Sequence, residues 1–168
     1  YLKNFLTDGL NLVQGQTAQH NWVVYRLGEI LLNYAEAMNE AYGPDADVFG
    51  DGKTARWAVN EIRSKVKMPP VVATTQSAMR ERIKHERRIE LAFEDHRFWD
   101  VRRWGEQDAT AALGGQLKGV HITKQSDGGF TYEPRMVENR VFLNKMMQYP
   151  IPQSEILKSD FIIQNTGW

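Results

Sequence analysis

"HERRIELAFEDHRFWDVRRWG", His85 to Gly105, threads five acidic residues and five arginines through Phe93, Phe98, Trp99 and Trp104. At about 100° per residue, Met79, Ile83, Glu86, Glu90, Phe93 and Arg97 fall on one helical face, so two carboxylates share an apolar stripe. Glu86 and Glu90 are like charges one helical turn apart. They repel, and each carries a desolvation cost unless cations and hydrogen bonds compensate. Arg87, Arg88, Arg97, Arg102 and Arg103 are the nearest guanidinium groups in sequence, and each can grip a carboxylate through two parallel hydrogen bonds. The stretch therefore reads as a structural ion-pair network of Glu86, Arg87, Glu90, Arg97, Asp100, Arg102 and Arg103. The rival reading is a general acid/base pair of the glycosidase kind, built on Glu86 and Glu90. A general acid needs a pKa raised toward neutrality, and a crowd of guanidinium groups works against that. A nucleic-acid surface fits less well, because the stretch has no positive excess with which to displace counterions from a phosphate backbone.

Working outward, the 168 residues fit one domain, since domains cluster near ~100–150 residues. The 21 basic and 21 acidic side chains cancel, so no long-range field favours polyanions, and nucleic acid is not an expected partner. The lack of cysteine excludes disulfides, thiolate metal sites and a cysteine nucleophile. No run of about 18 apolar residues is present to cross a bilayer. The opening "YLKNFLTDGLNLVQGQ" lacks the charged and apolar regions of a leader. Starting on Tyr1 rather than Met, the chain reads as a mature or excised piece of something longer.

Between Val23 and Ala41 apolar residues recur at Leu27, Ile30, Leu31, Tyr34, Ala37, Met38 and Ala41, the spacing of one helical face. Gly43-Pro44 ends that helix. "TARWAVNEIRSKVK" places Ala55, Ala58, Val59, Ile62 and Val66 on a second stripe that Pro69-Pro70 must terminate, which predicts a helical hairpin. The third helix is expected to start near Ser77 as cap and to run through Phe93, with a short helix around Phe98 to Trp104. "VHITKQSDGGFTYEP" alternates on both sides of Ser126-Asp127-Gly128-Gly129 and predicts a small hairpin. The tail opens on two X-Pro units and has room for one or two helical turns.

Other chemistry finds little support. "DADVFGDG" puts Asp45, Asp47 and Gly50 at positions 1, 3 and 6 of an EF-hand loop, but position 5 is Phe49 and position 12 is Arg56, so a polar turn is expected in place of calcium. His20, His85, His96 and His121 show no metal-ligand spacing, and no nucleophile or cofactor motif occurs, so neither metal nor cofactor is expected. Aromatic rings that can stack on sugar C–H faces beside hydrogen-bonding groups are the remaining candidates: Phe130, Tyr132 and Arg135 on the hairpin, and Tyr42 and Trp57 flanking the first loop. Burial in the core is the competing role for each ring.

"YRLGEILLNYAEAMNEAYG" (Tyr25 to Gly43), "AVNEIRSKV" (Ala58 to Val66), "ERRIELAFEDHRFWDVRRWG" (Glu86 to Gly105), "YPIPQSEI" (Tyr149 to Ile156) and "QNTGW" (Gln164 to Trp168) resemble, in order, the C-terminal region of SusD/RagB-type proteins. Asp95 stands where that family often has Gly. The resemblance implies a mainly α fold: a tetratricopeptide-like helical hairpin, further helices, a small β-hairpin and irregular loops. It would form a single C-terminal domain over 1–168, with the last helix pair near 23–67, charged helices near 77–104, loop and hairpin over 105–147, and a tail over 148–168. It also implies a non-enzymatic, surface-exposed outer-membrane lipoprotein of Bacteroidetes-type bacteria, capturing glycans or other nutrients for a SusC-like, TonB-dependent transporter. Membrane attachment would run only through an N-terminal lipid anchor absent from this chain. A helical protein-interaction domain without its own ligand is the alternative, and a hydrolase using Glu86 and Glu90 a more distant one.

Overall fold

Arg26 is the last extended residue before α1 (Leu27–Tyr42), which ends where Gly43 turns to φ +91° and its N–H closes on the Asn39 carbonyl at 2.9 Å. This is a computed structural model that describes residues 14–15 and 24–168; His20 and the opening segment lie outside them. The chain divides into two units, residues 1–97 and 98–168, each taken by itself below.

In the first unit, Thr54 caps α2 (Ala55–Lys65), its hydroxyl accepting the Trp57 N–H at 3.0 Å. Thr75 caps α3 (Gln76–Glu90) in the same way through the Ala78 N–H at 3.2 Å, so the cap lies two residues before the expected Ser77. α1 packs on both α2 and α3. Ala35, Ala58, Val59, Val71, Met79 and Ile83 form one core cluster, and Leu32, Ile62 and Leu91 a second. The buried alanines let the helix axes approach closely. Burying a side chain the size of Leu32, Met79 or Ile83 contributes roughly 1.5–3 kcal/mol.

Two expectations are corrected here. The buried face of α1 is Leu32, Ala35, Met38 and Asn39, whereas Leu27, Ile30, Ala37 and Ala41 are exposed. α1 carries apolar residues on more than one side, and periodicity alone does not say which side the two neighbouring helices take. α3 stops at Glu90 rather than running through Phe93. Phe93 and Asp95 then take left-handed backbone at φ +64° and +61°, which a continuing helix cannot accommodate. Phe93 consequently leaves the apolar stripe for solvent. Asp is among the residues that tolerate this conformation.

α4 (His96–Arg103) follows the turn and carries the chain from the first unit into the second. The second unit continues with α5 (Glu106–Leu113) and an antiparallel ribbon of β1 (Gly115–Lys124) and β2 (Phe130–Arg140). The ribbon turns on Asp127, whose carboxylate accepts the Gly129 N–H at 2.8 Å, and on Gly128 at φ +86°. Its strands run for 10 and 11 residues. A 3₁₀ turn (Asn144–Met147) and the short α6 (Gln153–Ile156) precede the tail.

The two last sequence motifs clasp each other. The Gln164 amide pairs with both backbone groups of Ile151 at 2.9 Å, Asn165 donates to the Tyr149 carbonyl at 2.6 Å, and the Trp168 indole N–H donates to the carbonyls of Lys145 and Gln148 at 2.9 and 3.2 Å. "QNTGW" thus supplies hydrogen bonds to an X-Pro segment that no regular secondary structure can satisfy. No helix among the described residues is long and apolar enough to cross a membrane.

Candidate ligand-binding site

The charged helix contributes architecture. Glu86, on the buried side of α3, is gripped by Arg63 of α2, the two side chains being 9% and 17% exposed. Arg63 also donates to the Pro69 carbonyl at 2.7 Å, so one guanidinium joins α3 to the end of the hairpin. Arg26, at the entry to α1, reaches Glu90 at 2.5 Å, Glu94 at 2.6 and 2.9 Å, and the Glu90 carbonyl at 2.6 Å. The Glu94 hydrogen bonds, more than those of Glu90, hold the Arg26 pKa above its ordinary value against the opposing effect of burial. Arg87 turns back to α1, donating to Asn33 at 2.6 Å and lying 4.0 Å from Glu36.

Two of the cations come from outside the charged stretch. Glu86 and Glu90 draw on Arg63 and Arg26, 23 and 64 residues away in sequence. Asp100 does pair locally, with Arg103 at 2.9 Å. Arg102 leaves the carboxylates altogether: it lies 3.5 Å over the Phe98 ring and donates to the carbonyls of Phe98 and Met146 at 2.9 and 3.2 Å.

The first loop is a polar turn. Asp45 takes both its hydrogen bonds from Arg56, at 2.6 and 2.8 Å, which holds its carboxyl below the usual range. Asp47 accepts the backbone N–H groups of Asp51 and Gly52, both at 3.1 Å. Among the described residues no three His, Cys, Asp or Glu come together as metal ligands.

The five ligand candidates split. Trp57 packs against the core of the first unit, and Tyr42 is exposed at the end of α1. Phe130 and Tyr132 sit on one face of the ribbon with Val120, Ile122, Pro134 and Met136. Arg135 pairs with Gly119 and points to the opposite face, with His121, Thr123, Thr131 and Glu133, because successive strand residues alternate sides. It does not share the face of Phe130 and Tyr132.

A different set converges in the second unit. Phe98 and Trp99 meet edge to face at 5.0 Å, and Tyr149 stacks on Phe98 at 5.9 Å and lies 6.2 Å from Trp99. Trp99 and Tyr149 nevertheless remain 58% and 63% exposed, so two amphipathic rings of one cluster stay open to solvent. The Tyr149 backbone, tied down by Asn165, belongs to the same segment as a cleft of about 430 Å³ lined by Asn144, Lys145, Met147, Gln148, Thr166 and Gly167. The sequence reading did not place Trp99 or Tyr149 among the ligand candidates. Periodicity does not say which side of so short a helix is buried.

The family model of the SusD family matches residues 1–168. The chain belongs to the SusD family. Its relatives include SusD-like protein P2 of Formosa agariphila, 27% identical over 97% of this chain and 29% of that protein. Among solved structures, a SusD-like protein from Bacteroides fragilis superposes with a TM-score of 0.71 at 35% identity, over 88% of this chain and 26% of that one. A SusD superfamily protein from Parabacteroides distasonis gives 0.58 at 24% identity, over 88% of this chain and 27% of that one, and speaks for the fold alone. The chain thus spans less than a third of the relatives it matches. The mainly helical SusD fold with one small two-stranded sheet is as the sequence suggested.

Proposed function

We propose that this SusD-family domain belongs to a glycan-capturing protein at the outer-membrane surface, which passes its ligand to a SusC-like, TonB-dependent transporter without altering its bonds. The supporting observation is the division of labour among side chains. Glu86 and Glu90, the two carboxylates placed for acid/base work, are each held by an arginine that fastens one helix to another. The exposed rings are elsewhere, at Trp99 and Tyr149, where flat apolar faces suit sugar C–H surfaces. A protein of this kind raises the local concentration of ligand at an entry site.

Incubation with a panel of oligosaccharides tests this reading. Retention of intact saccharide, lost on Trp99→Ala or Tyr149→Ala, is the expected result. Release of reducing ends would mean hydrolysis, and transporter capture with no saccharide retained would mean a protein-interaction domain only.

A further inference from the structure

The cleft between the 3₁₀ turn and the tail has a chemical character of its own. Its volume, about 430 Å³, lies within the range of small-molecule sites. Asn144, Gln148 and Thr166 bring two side-chain amides and a hydroxyl to its lining residues, and none of these side chains hydrogen-bonds a described residue. Lys145 is the single charged residue of the six that line it. Its ammonium has no carboxylate partner among the described residues and lies 4.5 Å over the Trp168 ring. The nearest acid of α6, Glu155, is taken by Lys158 at 2.6 Å. The walls are preformed. Trp168 is fixed through its N–H to the carbonyls of Lys145 and Gln148, and Gly167, at φ +89°, lies so close that a Cβ there would stand 3.1 Å from that of Lys145. Met147 adds an apolar wall.

A neutral sugar would use the amides and the hydroxyl but leave the ammonium without a counter-charge. A free fatty anion would use the ammonium and leave three hydrogen-bonding groups unmatched. We infer that the cleft is a subsite for a carboxylate-bearing sugar, a uronate, whose carboxylate meets Lys145 while its hydroxyls meet Asn144, Gln148 and Thr166. The inference rests on the saccharide-binding reading above and names the sugar class that this part of the surface selects. A hydrogen bond to a charged partner is stronger than a neutral one, so the carboxylate supplies discrimination as well as affinity.

The test is calorimetric titration of the full chain with trigalacturonate and with its neutral counterpart, galactotriose. Trigalacturonate is expected to bind about tenfold more tightly, Lys145→Gln to abolish that preference, and added salt to weaken only the acidic ligand. Amide shifts of Thr166 and Gly167 on titrating the wild-type chain give a reading that needs no variant. Equal affinity for the two sugars, an unchanged preference in Lys145→Gln, or shifts confined to residues away from 144–148 and 166–168 would overturn the subsite. Neutral saccharides retained in a Trp99-dependent way, with no gain for trigalacturonate, overturn the subsite and leave the binding function standing. No saccharide retained at all overturns both.

Discussion

Glu86 and Glu90 lie one turn apart on α3, yet their surroundings differ. The Glu86–Arg63 pair is 9% and 17% exposed, against 25% and 24% for Glu90–Arg26. Removing one partner of a buried pair costs about 3–5 kcal/mol, since the other charge stays behind without compensation. Glu86→Ala is therefore expected to approach that loss in chemical denaturation, and Glu90→Ala to lose clearly less because water reaches it and Arg26 keeps Glu94. An equal loss for both would mean that exposure does not govern the cost. Acid stability follows from two other pairs. The Arg80 hydrogen bond holds Glu40 below its ordinary value of 4.5, and that of Arg56 holds Asp45 below 3.8. A carboxylate depressed in the folded state contributes stability above its unfolded value and loses it as pH falls through the folded one. The thermal midpoint should hold above about pH 5 and decline below 4.5, and Arg80→Met should flatten that decline. Both pairs are well exposed, so salt should weaken the effect.

Elements begin and end for reasons that single residues decide. Thr75→Ala should cost about 0.5–2 kcal/mol by leaving the Ala78 N–H without its acceptor, and Ser77→Ala should cost next to nothing. The reverse order would restore the cap expected from sequence. Three helices, the stripe of α2 as far as Ile62, the hairpin turn at Asp127-Gly128 and the short tail helix were legible, because each has a local signal: apolar spacing, a turn dipeptide, a proline; Val66, expected on that stripe, lies past the end of α2 and is exposed. The end of α3 was not. Ile89, Leu91 and Ala92 continue a plausible helical sequence, and only the left-handed Phe93 and Asp95 break it. Nor was the buried face of α1, since Leu27 and Ile30 are as apolar as Leu32 and the choice is made by packing against α2 and α3.

Across the molecule, the sequence showed that the acids must be neutralised but not by what. Arg63 and Arg26 are long-range partners, and proximity in sequence pointed to Arg102, which instead covers Phe98. The site was legible only as a residue type. Aromatic rings were expected to carry binding, yet Trp57 went to the core, Arg135 to the far side of the ribbon, and Trp99 and Tyr149 to an exposed cluster. This separates two kinds of variant. Trp57→Ala should lower the thermal midpoint by opening a cavity beside Ala35 and Met79, whereas Trp99→Ala should leave it nearly unchanged and reduce saccharide retention. Retention unaffected by Trp99→Ala would move the binding surface elsewhere.

The claim beneath all of this is that the arginine and glutamate motif fastens helices together. Chemical denaturation of a double-mutant cycle on Arg63→Ala and Glu86→Ala tests it most directly. Each single substitution should be costly and the double little worse than the costlier single, giving a coupling of about 0.5–3 kcal/mol. Strict additivity, with no coupling between α2 and α3 through this pair, would contradict it.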